Sequence, residues 1–240
     1  MRREIDECFP FRAPPEYAKY LAAAGFTMMS NAKSHSFDFG QAGEDETTAA
    51  LHRVGASQTG LPGETTIVKA DGRKVAFLGF APYSNTASLT DLATAREMIR
   101  QARKLADIVV VAIHAGAEGS DAQHVIGDEE TCLGKDRGSA EEFAHITIEA
   151  GADLILGSGP QVLRGIEIYR GRLVSYGLGN FSGLHNFVPR GCSARRWCCA
   201  SPWPRTAPSA PVAWPRSAWS KRANRPRPGR RRQPDRGARR

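Results

Sequence analysis

Residues 108–118, IVVVAIHAGAE, are the stretch that decides the fold. The first six are all aliphatic, too apolar for a strand with one wet face, and such runs belong to strands covered on both sides in a sheet flanked by helices. The run gives way to a glycine-containing polar segment, so it delivers His114 at the strand's C-terminal end. Open α/β sheets place their ligands at that end.

The segments on either side agree with this reading. Upstream, residues 88–105 form the strongest amphipathic helix, opening on a Ser88/Thr90/Asp91 cap region. Downstream, residues 139–150 read as a second helix ended by Gly151. Residues 154–156 then form a short strand that leads into Gly157-Ser158-Gly159-Pro160-Gln161. Two hairpins are predicted, 65–69 with 74–79 around Asp71-Gly72, and 165–169 with 173–177 around Arg170-Gly171. Nearer the start come a helix over 16–24, a strand over 26–30, a polar loop over 31–40 and a helix over 44–54. Helices alternating with strands, plus two hairpins, predict an α/β fold with a mixed sheet.

Charge divides the chain in two. Of its 33 Lys+Arg, 15 fall in residues 188–240 beside a single acid, Asp235, which leaves 18 basic and 24 acidic residues before them. The net charge of +8 therefore belongs to the tail. That tail contains all four tryptophans but no Leu, Ile or Phe, so it has too little apolar surface to offset ordering entropy and is predicted to be disordered. Its Arg/Pro/Ala/Trp/Cys-rich text is what a GC-rich gene yields when read out of frame. The alternative is a basic arm for nucleic acid or an anionic surface. We read residues 1–187 as one partial domain and 188–240 as the tail, with no specific nucleic-acid site. The first 17 residues lack a signal peptide's apolar core, and no run of 18 apolar residues is present. As written, the chain reads as cytoplasmic and without a transmembrane segment. Cys8 and Cys132 show no metal-binding spacing.

Three polar clusters follow predicted strands: Asn31…His35…Asp38, then His114…Glu118, then 157–161. Side chains of these types arriving from separate strand ends can form a metal-assisted hydrolytic site. Each also has an ordinary role open to it. His114 can be a hydrogen-bonded structural residue, Asp38 a loop cap, Glu118 a solvated acid and Asn180 a turn residue.

The stretches SNAKSHSFDFG, VVVAIHAGAE and AGADLILGSGPQVLRGIEIYRGRLVSYGLGNF, in that order, resemble the motifs of the CapA-type capsule-synthesis (poly-γ-glutamate biosynthesis) family over roughly residues 9–186. The resemblance implies a calcineurin-like metallophosphoesterase fold, with mixed sheets flanked by helices. It also implies a divalent metal (Mn, Mg, Fe or Zn) and an envelope polymer or phosphoester as substrate. Family members are often membrane-anchored or envelope-associated. Carried over position by position, His35 matches the general acid, with Asp38 and Glu118 as the accompanying catalytic acids. His114, Asn180 and Gln161 match metal-ligand positions, and Arg164 is a substrate-binding cation. The sequence departs from the pattern where Lys33-Ser34 replaces a pair of amides and Gln161 replaces a histidine. The family's opening Gly-Asp strand and Asn-x-Glu loop do not occur before Phe9. These departures predict an impaired hydrolase, or a non-catalytic remnant of a truncated, frameshifted gene.

Overall fold

The computed structural model describes residues 10–119 and 121–180. The predicted tail, 188–240, lies outside the described residues. In chain order the elements are a 3-10 turn (Pro15–Tyr17), α1 (Ala18–Ala23), β1 (Met28–Ser30), α2 (Gly40–Arg53), β2 (Ser57–Thr59), β3 (Thr66–Ala70) and β4 (Arg73–Phe80). There follow α3 (Leu92–Leu105), β5 (Ile108–His114), β6 (Thr131–Cys132), β7 (Lys135–Asp136), α4 (Ala140–Ala150), β8 (Leu154–Ser158), β9 (Ile166–Tyr169) and β10 (Arg172–Ser175).

The main sheet has six strands in the order β3-β4-β5-β8-β10-β9. Its four inner strands are parallel and each edge strand is antiparallel to its neighbour. This is the mixed α/β sheet expected from the sequence, with the two hairpins forming the two edges. At Asp71-Gly72 and Arg170-Gly171 all four residues have positive φ, which is the backbone of a two-residue hairpin turn. A second, smaller ladder pairs β1 with β2 in parallel, and β6 with β7 form a short hairpin.

Helices α3 and α4 touch each other and bury their apolar stripes on one face of the sheet. Leu78, Phe80, Val109, Val111, Ile113, Ile155 and Val174 rise from the strands to meet Ile99 and Phe143 from the helices. The alternation along β5 sends Val109, Val111 and Ile113 to that face. Both helices begin on side-chain caps. Asp91 Oδ1 accepts from the Thr94 amide (3.0 Å), and Ser139 Oγ accepts from the Glu142 amide (3.2 Å). The first helix of this pair is predicted from residue 88 but starts at Leu92, because Ser88, Thr90 and Asp91 build the cap and not the first turn.

Two other boundaries move. The helix predicted from residue 44 starts at Gly40, so the polar loop is shorter than the composition suggests. Strand β8 runs two residues past its predicted end, because pairing with β5 carries it to Ser158 opposite His114. Strand β2 and the β6–β7 hairpin were not predicted; their polar residues carry no apolar periodicity.

Candidate functional site

Four parallel strands end along one edge of the sheet, and the loop of residues 31–39 is brought to the same edge by close packing of β1 and β2 on β4. Gly79 makes the approach feasible, since a Cβ there would lie 2.9 Å from both Gly60 Cα and Ser30 Oγ. Asn85 then ties the loop to the segment after β4, donating to Ser36 Oγ at 3.1 Å.

His114 sits at the centre, 7 % exposed at the end of β5. Ser158 Oγ donates to the Ile113 carbonyl (3.0 Å) and lies 3.4 Å from His114 Nδ1, so the hydroxyl accepts from the ring. The imidazole proton is thereby placed on Nδ1. Nε2 is left with a lone pair, buried and without a partner among the described residues. Burial, followed by the positive charges of Arg137, Lys33 and His35, pushes the proton affinity of His114 down from 6.5 to about 3. His114 is therefore neutral throughout the physiological range and does not act as a general acid there.

Beside it runs a chain of hydrogen bonds. The Tyr83 hydroxyl holds its proton more tightly than usual because of burial, against the opposing pull of Arg137. Arg137, 3 % exposed just ahead of α4, donates through Nη1 to the Tyr83 hydroxyl and through Nη2 to Glu118 Oε1 (3.0 Å). Glu118 Oε2 in turn accepts from Gln161 Nε2 at 2.7 Å. The Tyr83 ring stands 5.9 Å from that of His114. Lys33 is exposed and has no ion pair among the described residues.

The remaining predicted residues fall in three places. His35 and Asp38 form a pair, Nδ1 to Oδ2 2.9 Å, and Asp38 also accepts from the Phe11 amide (2.8 Å). The Asp38 side chain thus fixes the loop and does not cap α2. Arg164 is buried, holding Glu130 through two bonds of 2.6 Å and the carbonyls of Ala122 and Ala117 at 2.7 and 3.1 Å. Four of its N–H donors are thus committed within the protein. Asn180 is exposed, two residues beyond Leu178, whose amide donates to the Gly157 carbonyl at 2.9 Å.

The fit to a metal is poor. The lone pair on His114 Nε2 suits one, but no group of three His, Cys, Asp or Glu among the described residues comes together to hold an ion. Glu118 is engaged by Arg137 and Gln161, and the charges that act on His114 are cationic. One imidazole in a positive field is not a dinuclear donor set.

Tyr83 and Arg137 are the site residues that the sequence reading missed. Tyr83 follows a strand end, the signal that located His114, and could have been found by it. Arg137 could not, because its partners lie 19 and 54 residues away.

Because the unfolded chain binds a proton on His114 below pH 6.5 and the folded chain does so only near 3, stability should fall as the pH drops through that window. The slope should approach about 1.4 kcal/mol per pH unit. His114→Gln should flatten it, as measured by urea midpoints between pH 3.5 and 7. An unchanged slope would show that the ring is not buried in neutral form.

The sequence profile that matches this chain is that of bacterial capsule synthesis protein PGA_cap, over residues 2–183. The PGA biosynthesis protein CapA of Bacillus subtilis is 30% identical over 196 residues, covering 75% of this chain and 48% of that protein. The capsule biosynthesis protein CapA of Bacillus anthracis is 27% identical over 202 residues, covering 75% and 45%. The chain thus spans about half the length of these curated relatives. A solved Staphylococcus aureus structure described as a 5'-nucleotidase aligns at a TM-score of 0.40 with 15% identity, over 66% of this chain and 33% of that one.

Proposed function

We propose that this chain, which belongs to the bacterial capsule synthesis protein family PGA_cap, serves the assembly of an anionic capsule polymer of the poly-γ-glutamate kind by binding it at the edge around His114. The observation that carries this reading is the exposed cation of Lys33, which has no ion pair among the described residues, on the loop that reaches the edge holding His114. A γ-linked glutamate chain presents, in every repeat, a carboxylate and an amide N–H. Lys33 suits the carboxylate.

The same features argue against efficient hydrolysis by this chain. A general acid must hold a proton at working pH, which His114 does not. In the His35–Asp38 pair, Asp38 engages Nδ1 at 2.9 Å. No helix among the described residues is long and apolar enough to cross a membrane.

Poly-γ-glutamate should bind the full chain at low ionic strength, and Lys33→Glu should weaken that binding at least about fivefold, with the difference shrinking as salt is raised. Calorimetry at two salt concentrations checks it. Turnover of a generic phosphodiester with added Mn²⁺, abolished by His114→Ala, would overturn the binding reading in favour of a working hydrolase.

A further inference from the structure

The guanidinium of Arg137 is buried and only partly matched. Nη1 donates to the Tyr83 hydroxyl and Nη2 to Glu118 Oε1 at 3.0 Å, whereas Nε is buried with no partner among the described residues. In a planar guanidinium the Nε–H and one Nη2–H lie side by side and point the same way, a fork whose spacing matches the two oxygens of one carboxylate. Glu118 fills half of that fork. Its second oxygen, Oε2, is drawn away by Gln161 Nε2, which donates to it at 2.7 Å. An N–H left unbonded in the interior is costly, and a carboxylate that engaged both donors would remove the cost.

Glu118 is placed so that its side chain can leave while its backbone stays. The Ala117 amide donates to Glu130 Oε2 (3.0 Å) and the Gly119 amide to the Pro160 carbonyl (3.1 Å), which ties the chain on both sides of it. The Glu118 side chain is 25 % exposed against 4 % for that of Arg137, so solvent reaches the carboxylate and not the guanidinium behind it. Gln161, which holds the carboxylate's other oxygen, is exposed and has a φ of 62°, in the left-handed region that a side chain of its kind adopts only at a cost. Replacing one carboxylate by another never strips the guanidinium of its counter-charge, the step that a buried pair resists most. The Tyr83 ring joins this fork to the edge, its centroid 5.7 Å from Arg137 Cζ and 5.9 Å from that of His114.

We propose that Arg137 is a carboxylate-binding group and that Glu118 is its internal occupant, displaced when a carboxylate of the ligand takes the Nε–Nη2 fork. This rests on the reading of the edge as a site for a poly-γ-glutamate chain. It adds the group that recognises the carboxylate and the contact that holds the site closed without ligand. Each repeat of such a chain carries the same functional group as the Glu118 side chain, so ligand and occupant compete on equal chemistry. Once released by Glu118, Gln161 has an amide N–H to offer the ligand.

The test is calorimetric titration of poly-γ-glutamate into the full chain and into Glu118→Gln, which removes the competing charge at nearly constant shape. Affinity should rise at least about fivefold in the variant. Glu129→Gln, an exposed position that changes the net charge equally, should raise it by less than about twofold. Arg137→Lys, which keeps the charge and loses the fork, should cancel the gain when combined with Glu118→Gln. Proton–nitrogen NMR reads the fork itself. The Arg137 Nε–H resonance, identified by its absence in Arg137→Lys, should move downfield as the polymer binds. That measurement needs no change at Glu118, so it decides the matter even if Glu118→Gln fails to fold. Polymer binding that leaves the Nε–H resonance unmoved, or equal gains in Glu118→Gln and Glu129→Gln, would overturn the fork and leave the anion-binding edge standing. Inorganic phosphate that moves the resonance at lower concentration than the polymer's repeats would overturn the assignment to a carboxylate. Absence of binding by the parent chain and by every variant would overturn both readings.

Discussion

Glu130→Ala is expected to destabilise the chain by about 3–5 kcal/mol, measured as a fall in the urea midpoint at constant m-value. Glu130 and Arg164 face each other through two 2.6 Å bonds, with side chains 6% and 0% exposed. Burial pushes the Glu130 carboxyl's pKa up, but the bonds from Arg164 and from the Ala117 amide (3.0 Å) outweigh it and hold the group below its ordinary range. The pair's contribution is thus complete above the ordinary carboxylate range and is lost as pH falls through the depressed value. Removing Glu130 leaves a guanidinium buried without its counter-charge, which costs more than the pair itself contributes. The double variant Glu130→Leu/Arg164→Met should therefore recover much of the loss. Recovery would show that the loss comes from the uncompensated guanidinium and not from the missing contact. If the single variant costs less than about 1 kcal/mol, the pair is wet and its burial contributes little.

Gly157→Ala should cost about 3 kcal/mol, at the upper end of overpacking. A Cβ at this position would lie 2.5 Å from the Ser175 carbonyl oxygen and from the carbonyl carbon and oxygen of Tyr176. All three are backbone atoms of the neighbouring strand and of the residue that follows it, so no side chain can rotate away. The strands must separate, and Ser158, which orients His114 from the next position, moves with them. The expected signature is a fall in the urea midpoint together with loss of polymer binding. Gly165→Ala, where a Cβ meets nothing within 4 Å, serves as the control.

The main sheet was legible because its signals are local. The aliphatic run of β5, the two Xaa-Gly turns and the cap region at Asp91 each depend on a few consecutive residues. The extra strand β2 was not legible, because Ser57, Gln58 and Thr59 are held by partners far along the chain. Thr59 Oγ1 donates to the Phe77 carbonyl (3.0 Å), and Thr66 Oγ1 to the Gln58 carbonyl (2.6 Å). The site divides in the same way. His114, Glu118 and Gln161 stand where strand ends put them, whereas the guanidinium that binds Glu118 arrives from the far end of a long excursion. The resemblance could nominate Arg164 as a cation, but only burial reveals that its charge is already matched.

The hydrogen bonds from Tyr83 through Arg137 and Glu118 to Gln161 tie together side chains carried by four separate segments, those after β4, after β5, ahead of α4 and after β8. A substitution at any one of them resets the surroundings of the others, so paired variants across this network should be coupled and not additive.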